Sequence, residues 1–460
     1  MDSDMSDWHA PLSCSQERLL FVERLNPGIR AYQFQARIDL VGRLDTTALA
    51  RALTDVVRRH EIYRTTFTDG PAGPRQLVHP PHPVELPVDD LRDAADPETA
   101  ARAAIDEAIA TDLPVDRLPL VRWRLLRLAE DRTVLLHLEH HLIHDGWAFN
   151  VFVEELCALY AAHVTGGSPP MPDAPPQFAD FAVRQRAWLE GPEAEAQLAY
   201  WKRQLDGMPP YLDLPTDHPR TPKRRFLGDA PRFTVPAHLA DRARALARQQ
   251  RVSLFTVMLA AFEVLLHHWS GQKDFCVGSG MAGRSRPETH RLLGMIVNTV
   301  ALRADLRGDP TFAELLDRVR DATFGALAHQ DIPFDRVVTA LRPPRVPGRQ
   351  PFSEVLFSFH DAPLRPVSMP GLTAVVTPGL TNGSAKADLN VIAIPYAEQT
   401  AVGRGPQRQR DIEFIWEYDR DLFDATTIAQ AAAHYERLLD AVTAAPRTRV
   451  SAVISQEAMK

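Results

Sequence analysis

The sequence predicts a mixed α/β protein folded as two lobes, and three observations predict it. The chain has 460 residues, more than a single core of ordinary size holds, so it is expected to divide. Stretches of strand-type alternation are interspersed with stretches of helical periodicity. The segment Gly166 to Pro176 holds five prolines and reads as a connector. The expected lobes are residues 1–170 and 171–460.

The elements follow in order. Ser13 to Leu25 carries Leu19, Leu20, Val22 and Leu25 at helical spacing. Phe34, Ala36, Ile38 and Leu40 alternate with Gln35, Arg37 and Asp39, a strand with one buried face. Asp45 caps a helix whose inner face is Leu49, Leu53, Val56 and Val57. Further strands run through Val121, Trp123 and Leu125 and from Thr133 to about His140, and Trp147 to His163 reads as a helix. In the second lobe Ser253 to Trp269 is a strongly apolar helix and Phe275 to Ser279 a strand. Arg342 to Pro351 is a loop, Pro370-Gly371 a turn, and Asp424 to Val442 a final amphipathic helix.

Bulk properties narrow the function. A hydrophobic content of 45% with 24% charged residues is ordinary for a soluble protein. A net charge of -7 argues against a nucleic-acid binder. Cys14, Cys157 and Cys276 are far apart and form no CxxC pair, so neither a disulfide framework nor a zinc ribbon is expected. Met1 to Ala10 has no apolar stretch of the secretory kind. The run Leu254 to Leu266 is broken by Glu263 and is too short to span a bilayer. A cytoplasmic, monomeric protein without a membrane partner is expected.

The chemistry concentrates in Leu135 to Asn150, LLHLEHHLIHDGWAFN. On a strand, Val134, Leu136 and Leu138 share one face and His137, Glu139 and His141 the other, so His140 and His141 point opposite ways. An imidazole titrates near neutrality and can take a proton from an attacking amine or hydroxyl. Asp145 has two options: accept a hydrogen bond from the histidine, or turn to an arginine and lock the loop. Gly146 lets a backbone N–H approach a carbonyl oxygen. His137, His140, His141 and His144 also suggest a metal. Their spacing matches neither a helical HExxH site nor a Cys/His finger, and no metal is expected.

HHLIHDG, His140 to Gly146, resembles the HHxxxDG signature of nonribosomal peptide synthetase condensation domains. Other segments agree in the family's order: LSCSQERLLFVERL from Leu12, RHEIYRTTF from Arg59, FADFAVRQRAWL from Phe178 and YWKRQLDG from Tyr200. VGSGMAGRSRPE from Val277, LLGMIVNTVALR from Leu292 and HQDIPFDRVV from His329 complete the set, covering roughly residues 11–445. The resemblance implies two chloramphenicol-acetyltransferase-like lobes set in a V, with the active site in a tunnel between them. It implies that His141 is catalytic, that His140 and Asp145 are structural, and that Arg284 is the candidate partner of Asp145. Trp147, Asn298 and Gln330 are expected along the substrate cleft.

The resemblance also implies the partners. The donor is an acyl or aminoacyl group on the phosphopantetheine arm of a carrier protein, and no cofactor is held by the chain itself. No adenylation motif or carrier serine flanks the domain, so a freestanding condensation enzyme served by a carrier in trans is expected. Its acceptor is a tethered or, preferably, a small diffusible amine or alcohol, giving an amide or ester. Arg220, Lys223, Arg224 and Arg225 form a basic cluster that is either a solvated loop or a carrier-docking patch. Two departures bear on the acceptor side: His144 and Ala148 stand where the family often has serine. A coenzyme-A-dependent acyltransferase shares HxxxDG but also carries DFGWG, absent here. An epimerisation domain shares the double histidine but usually follows a carrier domain. A non-catalytic binding module would be expected to have lost the second histidine, and His141 is present.

Overall fold

Helices start where the sequence supplies a cap. Ser13, with Gln16, forms a capping box for the helix Cys14–Leu25, Asp45 caps Thr46–Arg59, and Ser253 caps Leu254–Ser270. The computed structural model describes residues 8–71, 73–171, 174–361, 369–397 and 410–458. Pro172 and Asp173 of the proline-rich connector lie outside them. Leu25, expected in the buried stripe of the first helix, is 60% exposed. The helix turns Gln16, Leu19 and Leu20 inward instead. The reason is polar: the Gln16 amide donates to the Leu142 carbonyl at 3.1 Å, which rolls that face toward the core and Leu25 off it.

Two large sheets carry the two halves. The five-stranded sheet runs Leu372–Pro378, Gln33–Gly42, Arg132–His140, Val121–Ala129, Val88–Asp90, antiparallel except at the last pair. The seven-stranded sheet runs Asn298–Asp305, Asp274–Met281, Val355–Phe359, Leu389–Pro395, Ile412–Asp419, with Gly228–Asp229 and Arg232–Val235 both pairing the last. A small three-stranded sheet joins Trp8–Pro11, Gly73–Val78 and Thr65–Gly70.

The chain after residue 170 does not stay with the second sheet. The strand Leu372–Pro378 returns to cover the edge of Gln33–Gly42 in full antiparallel register, giving that edge's backbone groups their partners. Phe178, Phe226, Leu293, Ile296 and Met369 likewise pack into the first core. The second core is built on Leu254–Ser270, buried on nearly every side from Thr256 to Leu266. No single helix among the described residues is long and apolar enough to cross a membrane.

A carboxylate also joins the halves. Glu155, on the helix Gly146–Thr165, meets His60 at 2.7 Å, Arg59 at 3.3 Å and Arg291 at 3.0 Å. Burial alone would raise its pKa, but His60, Arg291 and Arg59 outweigh it and pull the group down to about 2. An unfolded glutamate titrates near ~4.3. The network therefore stabilises the fold above that range and loses its contribution as pH falls toward the folded value. Glu155→Gln is expected to lower the melting temperature at neutral pH and to make its fall between about pH 5 and 2 shallower. An equally steep acid fall in the variant would exclude Glu155 as a cause.

Candidate active site

The strand Arg132–His140 stops one residue before the imidazole of interest. His141 opens a single 3₁₀ turn, His141–Ile143, so the backbone of that turn also sets its direction. His137 and Glu139 do share a face, and there they bond each other. The Trp123 indole N–H donates to His137 Nδ1 at 2.9 Å, which leaves Nε2–H to donate to Glu139 at 2.7 Å. His144 Nδ1 donates to the same carboxylate oxygen at 3.0 Å and stacks on Phe34 at 4.1 Å. Burial opposes the charge on Glu139, yet His144 and His137 hold its pKa down at about 2. His140 shapes the turn: its Nδ1 accepts from the Leu142 N–H at 3.1 Å. Among the described residues no three or more His, Cys, Asp and Glu side chains are grouped to hold a metal ion.

Asp145 takes the arginine option. Its Oδ1 accepts from the Ala148 N–H at 2.7 Å and so caps the helix Gly146–Thr165. Both oxygens accept from Arg284 Nη2, at 2.8 and 2.9 Å, and Oδ2 also accepts from the Ile296 and Val297 N–H groups. Arg284 Nη1 donates to the Thr289 and Leu292 carbonyls, each at 2.6 Å. Both side chains are nearly inaccessible, at 3% and 1%. Gly146 begins the helix, and a Cβ there would meet nothing within 4 Å, so its outer side faces open space.

His141 is fixed through its backbone, whose N–H donates to the Tyr32 carbonyl at 2.8 Å. Its Nε2 lies 2.8 Å from Lys386 Nζ. Lys386 comes from the other half of the chain, 245 residues away. Both side chains are surrounded by protein and yet keep some solvent contact. Burial pushes the His141 imidazole well below its usual range, and the positive charge of Lys386 adds to this. Both effects favour the neutral ring. Burial also lowers Lys386, with Glu417 opposing.

Sequence reasoning missed Lys386 and the double acceptor Glu139. The one available signal for Lys386 was scarcity: the chain has five lysines, and this one stands in the turn-rich stretch TNGSAKADLN.

The remaining expected site residues fall as follows. Trp147 turns toward Arg284, its indole N–H donating to the His290 carbonyl at 2.9 Å and its ring 5.9 Å from the guanidinium, so its polar group is committed to protein. Asn298 and Gln330 do meet, but through the Gln330 main chain, and the Gln330 side-chain amide donates to the Leu327 carbonyl at 2.9 Å. The Asn298 amide donates to the Gln330 and Ile332 carbonyls at 2.8 and 2.7 Å, and its oxygen accepts from the Phe334 N–H. In the basic cluster three of four charges are neutralised: Arg220 by Asp388, Arg224 by Asp419, Arg225 by Asp421. Among the described residues Lys223 has no carboxylate partner. It lines an open basin of about 600 Å³ with His218, Thr221, Arg225, Arg420 and Asp421.

The model of the condensation-domain family matches residues 6–459. A linear gramicidin synthase of Brevibacillus parabrevis is 38% identical over 97% of this chain, which covers 6% of that far longer protein. Among solved structures, the X-domain from teicoplanin biosynthesis is similar at a TM-score of 0.84 and 26% identity, covering 98% of each chain. That domain is also solved in complex with OxyB. The SgcC5 protein from Streptomyces globisporus is similar at a TM-score of 0.80 and 27% identity, over 95% of this chain and 100% of that one. Its structure contains (R)-(-)-1-(2-naphthyl)-1,2-ethanediol.

Asp145→Ala leaves the buried Arg284 uncompensated and is expected to cost about 3–5 kcal/mol, read as a lower denaturation midpoint. An unchanged midpoint with lost turnover would instead assign Asp145 to the chemistry.

Proposed function

The chain belongs to the condensation-domain family, whose fold is two chloramphenicol-acetyltransferase-like lobes, and from that premise we propose the following reaction. It transfers an acyl or aminoacyl group from the phosphopantetheine thioester of a carrier protein to an amine or alcohol. The observation that carries this reading is the His141 ring, which keeps some solvent contact where the two halves meet at Lys386. A thioester is already activated, so orientation and charge stabilisation dominate. The acceptor N–H or O–H gives its proton to His141 Nε2 as its lone pair attacks the carbonyl carbon. A C–N or C–O bond forms, the C–S bond breaks, and the imidazolium returns the proton to the departing thiolate. The Gly146 N–H, at a helix start facing open space, is the proposed donor to the oxyanion. The donor brings its own pantetheine arm, and the reading assigns no resident cofactor.

The diol in the SgcC5 structure supports a small, diffusible alcohol acceptor and thus ester formation. An alcohol needs general-base help more than an amine does, which fits a ring kept neutral. A second reading, a non-catalytic partner-binding module, draws on the X-domain's complex with OxyB.

One experiment separates them. The protein is incubated with acyl-carrier or acyl-coenzyme-A donors and with amines or aryl ethanediols, and products are read by mass. Product from carrier donors is expected, falling roughly a hundredfold or more in His141→Ala. Near-normal turnover in that variant would remove the base role. Product from coenzyme A alone would favour a coenzyme-A-dependent acyltransferase, and none from any pairing the binding module.

The basin beside Lys223 and Arg420 is the proposed contact for an acidic carrier. Lys223→Glu with Arg420→Glu is expected to raise the KM for the carrier while leaving turnover of a small thioester mimic unchanged. Equal effects on both substrates would exclude docking there.

A further inference from the structure

Lysine is rare in this chain, and one of the five lies against its central imidazole. Lys386 sits at the start of the segment leading into the strand Leu389–Pro395. Its backbone is pinned on both sides. The Lys386 N–H donates to Glu417 Oε1 at 3.1 Å, and the Lys386 carbonyl accepts from Arg224 at 3.3 Å. Next to it, the Ala385 N–H donates to the Phe226 carbonyl, and Asp388 is held by Arg220. The side chain leaves this anchored segment and crosses to the first half, passing the Tyr32 ring at 6.0 Å from its centroid and ending on His141 Nε2. A long, mobile side chain held at both its base and its tip has a defined position. Part of the basic cluster thus has a second use: Arg220 and Arg224 brace the segment that carries Lys386.

As an ammonium Lys386 has only N–H groups to offer, and in that state the 2.8 Å contact makes Nε2 the acceptor. We infer that Lys386 is a positioning residue for His141: its Nζ, 2.8 Å from Nε2, holds the ring with that nitrogen on the line along which the acceptor arrives. The inference rests on the reaction proposed above. When an amine or alcohol enters, its N–H or O–H replaces the ammonium on Nε2, and no covalent bond to Lys386 forms or breaks. A positive charge beside Nε2 disfavours the imidazolium, so the base does not lose its lone pair to a solvent proton before the acceptor binds.

The charged and titratable groups around the pair are few. Facing His141 are Lys386, His140 and His144. Facing Lys386 are Glu417 from the strand Ile412–Asp419, Arg18 from the helix Cys14–Leu25, Tyr32 just before the strand Gln33–Gly42, and His360 after the strand Val355–Phe359. Glu417 favours the ammonium and Arg18 opposes it.

The test reads the ring itself, without turnover. Histidine is labelled with ¹⁵N, and His141 is assigned from its loss in His141→Ala. In the unaltered protein Nε2 must give the signal of a hydrogen-bonded lone pair, and a free lone pair there would overturn the inference. In Lys386→Met, and in Lys386→Gln, which keeps an N–H but no charge, the His141 titration midpoint is expected to rise by about one unit or more. Lys386→Arg is expected to keep it low. A midpoint unmoved in a folded Met or Gln variant, or raised as far by Arg as by Met, sinks the proposal. If transfer is observed, the acid limb of kcat/KM must move upward with the ring in the Met and Gln variants. If no transfer is found with any donor, the ring titration still decides the role of Lys386, so the two failures are separable.

Discussion

A buried ion pair that spans the two halves is the interaction on which the site depends. The Asp145 carboxylate accepts from a helix N-terminus, a guanidinium and two backbone N–H groups of the segment leading to Asn298–Asp305. Its charge is tolerated inside the protein only because each lone pair is met. Arg284 in turn gathers carbonyls from residues 289, 292 and 294. One ion pair therefore fixes where the helix Gly146–Thr165 begins and how a long irregular stretch of the second half lies against it. The imidazole four residues earlier takes its position from that frame.

The charges around the imidazole divide into two groups. On the first-lobe side, Glu139 accepts from His137 and His144, and Trp123 completes the chain. Those groups are occupied with one another and stiffen the floor of the site. On the opposite side stands Lys386, whose partner is the working ring itself. The histidine cluster that looks like a metal site in sequence is thus two different things: a structural relay through one carboxylate and a single imidazole left available.

Much of the fold was legible because it rests on local chemistry. Ser13, Asp45 and Ser253 announce helix starts, and the alternation from Phe34 to Leu40 matches a strand. The HHxxxDG segment identified the turn and the Asp145–Arg284 pairing. The end of the strand was less legible, because the 3₁₀ turn begins at His141 and no pattern of apolar residues marks it. Leu25 was misread because a glutamine, drawn inward by hydrogen bonds, outranked a leucine. Lys386 was invisible for a different reason. A side chain in a turn-rich stretch acquires meaning only when the topology carries it to a residue far back in the chain.

The returning strand Leu372–Pro378 has a consequence for how the molecule is made. During synthesis the outer edge of Gln33–Gly42 stays open until residue 378 has left the ribosome, so the first sheet cannot finish before most of the second half exists. Closing a contact over so long a stretch of chain is slow, and an open edge invites pairing with other molecules in the meantime. Nascent chains therefore carry that open edge until the returning strand is made. A cut at the connector would yield an N-terminal fragment that keeps that exposed edge permanently, so the lobes are a single unit of inheritance and of engineering.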